Sequence, residues 1–244
     1  MYRKDTKMFD STEDASQKID ARIVQADFDR LHWSAGLREV TRFLGQRYWE
    51  AESLRHIRNH KSFGAFRLEN VAEHSWHLSD AVIVIGPRFP KLNVGKATIL
   101  ATVHDLLEVV TGDYDPIGTG SGLETHAFSS SKGLEKQEAE FCALDGIKER
   151  FEKCSKLQFE MIDEYLRLSS DEACFVKALD KIQVLILVHH YKMEAGIERE
   201  HLAFAKDYCG AQIDKNFPGL RPYLDHMLRK LEDLPIPQET GANV

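Results

Sequence analysis

The sequence predicts an all-α protein. Apolar residues recur at the helical spacing of three to four over long stretches, helix-start signals precede several of them, and no stretch alternates like a strand. The chain has 244 residues, of which 43% are hydrophobic and 29% charged. That composition is typical of a globular protein that buries a sizeable core, as one large domain or two small ones.

The first quarter of the chain contains two predicted helices behind a polar arm. Residues 1–15 are polar, and residues 16–32 follow a helical pattern. Residues 36–57 follow it more clearly, with apolar side chains at positions 37, 40, 43, 44, 48, 51 and 54. This helix ends in a basic cluster at residues 55–61, for which a solvated helix end stabilised by the dipole is a sufficient explanation.

Residues 69–85 form the next predicted helix. Asn70 is a suitable N-cap, and Glu73 stands at the capping-box position. The apolar stripe places His74 on the buried face, where a histidine is more often a hydrogen-bonded core residue than a ligand. Gly86 and Pro87 end this helix, and Val94 begins the central one.

The central stretch, residues 97–113, places ionisable side chains among apolar ones. On a helix, His104, Asp105 and Glu108 can share one face, and their neighbours are mostly leucine and valine. Buried ionisable groups cost several kcal/mol each unless they are paired or bound to a metal. A His-Asp pair can coordinate a divalent cation. A helix C-terminus with a histidine near the dipole, followed by a turn, explains this stretch equally well.

The second half contains further helices after a Gly-rich loop at residues 114–131. The loop is not a phosphate-binding P-loop, because no strand precedes it and no Gly-Lys-Ser/Thr follows, so we expect a lid or a disordered segment. Asp180 is the lone acid in an apolar stretch, where Lys177 or Lys181 would be an ordinary partner. Helices are predicted at 132–153, 156–168, 173–193 (with a capping box from Ser169 to Glu172), 198–210 and 222–233.

Net charge and cysteine content indicate which partners and which compartment to expect. The net charge is −7, which argues against duplex nucleic acid but allows a small anionic substrate. The four cysteines form no C-x-x-C pair, and the N-terminus lacks the apolar segment of a signal peptide. No apolar run reaches the length of a membrane span. We therefore expect a cytoplasmic protein with reduced cysteines and no membrane contact.

His74, His104, Asp105 and Asp180 lie on three predicted helices, each on an otherwise apolar face. Two imidazoles and two carboxylates suit a divalent cation and leave room for water. This order and set resemble the HD-domain phosphohydrolase superfamily. Segments 69–75, 104–113 and 176–180 look like its bacterial 5′-deoxynucleotidase branch and the eukaryotic HD-containing relatives, and the resemblance covers residues 50–195.

The resemblance implies a helical bundle and a residue-by-residue assignment. The bundle core would span residues 36–210, with an N-terminal arm and helix at 1–35 and a C-terminal helix and tail at 211–244. His74, His104, Asp105 and Asp180 match the metal ligands. One divalent ion (Mn, Co, Fe, Zn or Mg) is expected, because only His77 and His126 remain as weak candidates for a second site.

The resemblance also implies roles in binding and catalysis. Glu108 matches the carboxylate that assists proton transfer, and Asp113 matches an acid that contacts substrate. An arginine upstream of Glu69 should orient the phosphate, and Arg58 is favoured over Arg55. No tryptophan follows either arginine to select against ribose, so we expect ribo- and deoxyribonucleotides to be accepted alike.

The implied function is release of phosphate from nucleoside 5′-monophosphates. Alternatives are another HD enzyme (a phosphodiesterase or pyrophosphohydrolase acting on another nucleotide, or a two-iron oxygenase) and a non-catalytic, metal-stabilised binding module. Retention of Glu108 and Asp113 counts against the binding module, because a structural site needs neither. The expected partners are a small nucleotide or phosphate ester and a second copy of the chain in a homodimer.

Overall fold

The computed structural model describes residues 21–43, 68–116, 125–151, 154–193 and 196–236. Helices dominate these residues, and no strand occurs among them. The one β-type contact is an isolated bridge between Thr41 and Asn70. The predicted all-α class is therefore confirmed. None of the described helices combines the length and the apolar character that crossing a membrane requires.

The described helices follow one another with short connections. In chain order they are α1 (Ala21–Ser34), a 3₁₀ helix (Ala35–Glu39), α2 (Val71–Ile85), a 3₁₀ turn (Gly86–Arg88), α3 (Val94–Val103), α4 (Glu108–Thr111), α5 (Ser130–Arg150), α6 (Lys156–Arg167), α7 (Asp171–Lys192), α8 (Arg199–Ala203), a π-helical turn (Phe204–Cys209), α9 (Gly210–Asn216), a 3₁₀ turn (Pro218–Leu220) and α10 (Arg221–Glu232). The predicted helices after residue 130 match these elements closely.

Helix α7 is the centre of the bundle. It contacts α2, α3, α6, α9 and α10, and it is buried on most of its circumference. Its Phe175 and Leu179 are at most 1% exposed, and burying each such side chain stabilises the fold by about 1.5–3 kcal/mol. Asp180 and Gln183, two of the polar side chains that α7 buries, therefore face a closely packed interior.

The predicted helix at 36–57 begins as a short 3₁₀ helix but is wrong from Val40 to Phe43. The 3₁₀ helix ends at Glu39, and the backbone of Val40 is extended. The N–H of Val71 donates to the Val40 carbonyl (3.0 Å), and the N–H of Arg42 donates to the Glu69 carbonyl (2.9 Å). These long-range bonds override a helical preference that is only a weak prior. Residues 44–57 of the prediction lie outside the described residues.

The central helix is also interrupted, although its pattern predicts continuity. Helix α3 ends at Val103, and α4 begins only at Glu108. Between them, the N–H of Leu106 donates to Val103 (3.1 Å) and that of Glu108 to Asp105 (3.0 Å), the spacing of a tight 3₁₀ turn. Neighbouring residues of a regular α-helix point about 100° apart. In this turn, nevertheless, His104 Nε2 and Asp105 Oδ2 lie 2.9 Å apart.

The helix caps match the predictions at one helix and differ at another. At α2, Asn70 accepts from the Glu73 N–H (3.0 Å), and the Glu73 carboxylate accepts from the Asn70 N–H (3.2 Å). At α7 the cap is Ser170 rather than Ser169, since the Ser170 hydroxyl accepts from the Ala173 N–H. Glu172 instead accepts from the Asn93 N–H (3.0 Å), which ties α7 to the start of α3.

Candidate active site

The four predicted metal ligands converge from three elements. His74 lies in the first turn of α2, His104 and Asp105 in the turn after α3, and Asp180 in the middle of α7. The Nε2 atom of His74 is 3.2 Å from Asp180 Oδ1 and 3.5 Å from Asp105 Oδ2. The Nε2 atom of His104 is 2.9 Å from Asp105 Oδ2 and 3.3 Å from His74 Nε2.

Hydrogen bonds at the other ring nitrogens fix the tautomers of both histidines. His104 Nδ1 is 2.8 Å from the Ala101 carbonyl, which can only accept, so Nδ1 carries the proton. His74 Nδ1 donates in the same way to Gln183 Oε1 at 2.7 Å. In the neutral imidazoles, Nε2 is therefore the nitrogen that presents a lone pair to the centre. The two Nε2 atoms and one oxygen each of Asp105 and Asp180 are directed toward it.

This donor set fits a divalent cation. Ligand atoms that share one ion at bond lengths of about 2.0–2.2 Å lie about 3 Å apart. The atoms of His74, His104 and Asp105 have this spacing, at 2.9–3.5 Å, and Asp180 Oδ1 lies 3.2 Å from His74 Nε2. Burial, with the nearby charge of Arg42, lowers the pKa of His74 to about 4. His74 is therefore neutral at pH 7, the state in which imidazole binds a metal.

Asp180 fits both interpretations that the sequence left open, an ion pair with a lysine and a metal ligand. Lys181 donates to Asp180 Oδ2 at 2.7 Å, while Asp180 Oδ1 faces His74. Burial opposes ionisation of Asp180, but the charge of Lys181 together with His74 and His104 outweighs it and holds the pKa of the carboxyl well below its usual range. The ion pair therefore keeps Asp180 ionised and leaves one oxygen directed at the centre.

Gln183 is a site residue that the sequence analysis missed. It is fully buried on α7, one turn beyond Asp180. Its Nε2 donates to His77 Nδ1 (3.0 Å) and to Glu69 Oε1 (3.3 Å), which leaves Oε1 to accept from His74. A glutamine three residues after a buried acid, on an otherwise apolar helix, was the available signal. The contact engages Nδ1 of His77, one of the two weak candidates for a second metal.

Arg42 is a second site residue that the sequence pattern does not reveal. It is 7% exposed, its Nη1 is 3.0 Å from Glu69 Oε2, and its Nε is 3.9 Å from Asp113 Oδ1. The predicted helix at 36–57 places position 42 on its polar face, where an arginine gives no signal. Arg55 and Arg58, the predicted candidates, lie outside the described residues. Arg42 is thus an arginine that reaches this centre within the described chain.

Glu108 and Asp113 lie beside the ligands as buried carboxyls. Burial and the charges of Asp105 and Asp113 raise the pKa of Glu108 well above its ordinary value. Glu108 Oε2 is buried without a hydrogen-bond partner among the described residues. Burial also raises the pKa of Asp113, against the opposing charge of Arg42. Asp113 accepts from the N–H of Phe43, which adopts a left-handed backbone with φ of 61°.

Fold and site together define a helical protein with a cluster of residues that could hold a divalent cation. The sequence model of the HD domain family matches residues 51–220, well over half of the chain. The chain belongs to the HD domain family.

Curated relatives carry similar sequences. The 5′-deoxynucleotidase HDDC2 of Mus musculus is 30% identical over 125 residues, which is 51% of this chain and 56% of the relative. The human HDDC2 is 30% identical over 127 residues. The 5′-deoxynucleotidase hdd1 of Schizosaccharomyces pombe is 25% identical over 174 residues, 69% of this chain and 79% of the relative. The chain thus spans little more than half the length of the HDDC2 proteins.

Solved structures share the fold at lower sequence identity. A predicted metal-dependent phosphohydrolase from Magnetospirillum magnetotacticum MS-1 aligns with a TM-score of 0.53 at 19% identity, covering 85% of this chain and 96% of that one. A conserved hypothetical protein from Pyrococcus furiosus aligns with a TM-score of 0.51 at 21% identity, covering 84% and 98%. These similarities concern the fold alone.

Proposed function

We propose that the protein is a metal-dependent phosphohydrolase that releases phosphate from nucleoside 5′-monophosphates, deoxynucleotides included. The observation that carries this proposal is the cation-ligating set next to a buried arginine and a buried, readily protonated carboxyl. Relatives named 5′-deoxynucleotidases support the substrate class.

Arg42 is the proposed phosphate-binding arginine among the described residues. A guanidinium presents a planar pair of N–H donors that matches two phosphoryl oxygens. The contacts with Glu69 and Asp113 hold its side chain in place before substrate arrives. Arg58 remains a separate prediction, because it lies outside the described residues.

His74, His104, Asp105 and Asp180 are the residues that would hold the divalent ion. Such an ion polarises a phosphoryl oxygen and lowers the pKa of a water molecule in its coordination sphere. Its identity among Mn, Co, Fe, Zn and Mg is open to experiment. Gln183 and the Ala101 carbonyl would keep both imidazoles in the tautomer that binds it.

Glu108 is the proposed proton carrier. Its raised pKa lets the carboxyl hold a proton at a pH where an ordinary glutamate is ionised. It could therefore deliver that proton to the leaving 5′ oxygen, as a general acid does. Asp113, fixed by Phe43 and Arg42, is proposed to contact the substrate from the same side of the chain.

A phosphate-release screen tests the proposal. Purified protein would be given paired ribo- and deoxyribonucleoside monophosphates with Mn, Co, Mg and Zn in parallel. We expect release from AMP and dAMP with kcat/KM values within about tenfold, because unselective pockets discriminate a hydroxyl poorly. Metal-loaded protein that releases phosphate from no monophosphate would overturn the proposal. Cleavage of diesters or pyrophosphates alone would indicate the alternative HD activities.

The proposal also covers the compartment, the oligomeric state and the partners of the enzyme. We propose a cytoplasmic enzyme that works as a homodimer and uses no duplex nucleic acid. Light scattering of the purified protein tests the dimer, and imaging of the tagged chain in its own cells tests the compartment.

A further inference from the structure

Three lysines gather beside the metal centre from two helices. Lys136 comes from α5, and Lys177 and Lys181 lie one turn apart on α7. Each of the three lowers the pKa of His126, which burial and these charges bring to about 3. Burial and the charges of Lys181 and Lys136 likewise lower the pKa of Lys177 to about 8. The geometry agrees, because Tyr114 and Tyr208 lie 6.3 and 6.4 Å from the His126 ring and contact Lys136 and Lys181 respectively.

Aromatic rings hold these lysine side chains in place. The Nζ atom of Lys136 lies 5.3 Å from the ring centre of Tyr114, and that of Lys177 lies 5.0 Å from the ring centre of Tyr165. The Tyr165 ring in turn lies 5.3 Å from the ring of His104. The lysines are thus packed against rings that continue directly into the set of metal ligands.

The lysine cluster also acts on the acids of the centre. Lys181 donates to Asp180, and the charge of Lys136 opposes the upward shift in the pKa of Glu108. This places the cluster within electrostatic reach of the cation-ligating atoms. Arg42 comes from the segment before α2 and contacts Glu69, whose Oε2 lies 3.9 Å from His74 Nδ1. Lys177 approaches His104 through Tyr165, so cationic groups from different elements border one centre.

The positive charge of the cluster is incompletely balanced within the described chain. Lys181 has Asp180, and Lys136 has Glu140 at 3.6 Å. Lys177 contacts the face of Tyr165, and no carboxylate lies within ion-pair distance of it among the described residues. Like charges gathered in a partly buried space disfavour one another unless an anion joins them. Arg42, by contrast, is already balanced by Glu69 and Asp113.

We propose that Lys136 and Lys177, together with Lys181, form a second phosphate-binding group that contacts the same phosphate as Arg42. This inference rests on the proposed phosphohydrolase function and narrows its substrate class. Three ammonium groups around one phosphate favour the dianion of a phosphomonoester over the monoanion of a phosphodiester. Lys136 and Lys177 are thereby phosphate-binding residues of the reaction, and inorganic phosphate, its product, should bind to them.

Binding of inorganic phosphate to the metal-loaded protein tests the proposal directly. The variants are Lys136→Met and Lys177→Met, which keep the length of the side chain and remove its charge. Lys181 is left intact because it contacts the ligand Asp180. The matched control is Lys132→Met, one turn earlier on α5, where the side chain is 54% exposed and pairs with Glu135. Metal content is measured for each protein, so that lost metal is not mistaken for lost phosphate binding.

We expect the dissociation constant for phosphate, measured by calorimetry, to rise at least tenfold in each test variant and to stay unchanged in the control. Lys177→Arg, which keeps the charge, should retain more of the binding than Lys177→Met. In kinetics, kcat/KM for a monoester should fall at least tenfold while that for a diester changes little. Unchanged phosphate affinity in both methionine variants at full metal content would overturn the proposal.

Thermal unfolding separates phosphate binding from a structural role. Without phosphate, Lys177→Met should unfold at the same temperature as wild type or higher, because repulsion among the lysines is relieved. The rise in unfolding temperature that phosphate causes in wild type should shrink in the variant. A destabilised variant with a full phosphate response would contradict the proposal. Because phosphate binding needs no turnover, failure of this inference is distinguishable from failure of the nucleotide screen.

Discussion

The Nε2 atoms of His74 and His104 face each other at 3.3 Å, and the Nδ1 atom of each ring is engaged in a hydrogen bond on its other side. Two groups outside the centre enforce this arrangement, the Ala101 carbonyl and the Gln183 side chain. An imidazole whose second nitrogen is held by a hydrogen bond keeps its orientation and its basicity for a metal. The arrangement of these candidate ligands is therefore fixed by the packing of α2, α7 and the turn after α3.

Removing one carboxylate should empty the centre. In Asp105→Ala we expect loss of most of the bound metal, because His104 and His74 both face this carboxylate. Elemental analysis of the purified variant measures it against wild type, for which we expect about one ion per chain. Asp80→Ala, an exposed acid on α2, is the matched control. Wild-type metal content in Asp105→Ala would refute the assignment.

Gln183 should control metal affinity without touching the metal. Gln183→Met preserves most of the volume but cannot accept the Nδ1 proton of His74. Losing such a supporting contact typically weakens metal binding about 10- to 100-fold. Competition with a chelator measures this effect, with the exposed Gln137→Met on α5 as control. Equal chelator sensitivity of Gln183→Met and wild type would show that the tautomer of His74 is fixed otherwise.

Glu108 should separate chemistry from metal binding. We expect Glu108→Ala to retain the metal and to lose phosphatase turnover by about 10²-fold or more, the usual effect of a lost proton-transfer group. Turnover and metal content are measured on the same sample, and Glu138→Ala on the exposed face of α5 serves as control. A parallel loss of metal would make Glu108 a ligand, and unchanged turnover would exclude it from the mechanism.

Two arginines compete for the phosphate-orienting role, and one pair of variants decides between them. Arg42→Lys should lower turnover per metal-loaded enzyme by about 30- to 1,000-fold, or about 2–4 kcal/mol, because an ammonium cannot reproduce the planar pair of donors. We expect Arg58→Lys to have the smaller effect. The reverse order would assign the role to Arg58, as the family resemblance implies, with Arg42 left to organise Glu69 and Asp113.

Lys177 should make the stability of the folded protein depend on pH. Its pKa in the folded protein, about 8, lies below the ordinary value of 10.5. The unfolded chain therefore binds more protons between these two values, so this group makes stability rise with pH there. Between pH 7.5 and 9.5, the unfolding temperature of wild type should therefore rise relative to that of Lys177→Met. A constant difference between the two proteins over that range would contradict the lowered pKa.

The local sequence pattern was sufficient to predict much of the helical bundle. The apolar period of α2 and α7 and the cap of α2 follow from the properties of neighbouring residues, since helix formation is governed by spacing of three to four and by the terminal hydrogen bonds. The same pattern places His74 and Asp180 on buried faces. Because buried charge is costly, polar residues at such positions indicate a ligand set from the sequence alone.

Contacts between residues far apart in the chain determined the parts of the fold and site that the local pattern did not predict. The segment at Arg42 leaves the helical conformation because Glu69, Val71 and Asp113 bind its backbone and side chain, and Asp113 lies some 70 positions along the chain from its partner Phe43. The tight turn at His104 and the direction of the Gln183 amide depend in the same way on packing against other helices. Periodicity describes one helix at a time, so the sequence by itself determined which residues are buried, and only the tertiary structure decided which of them meet.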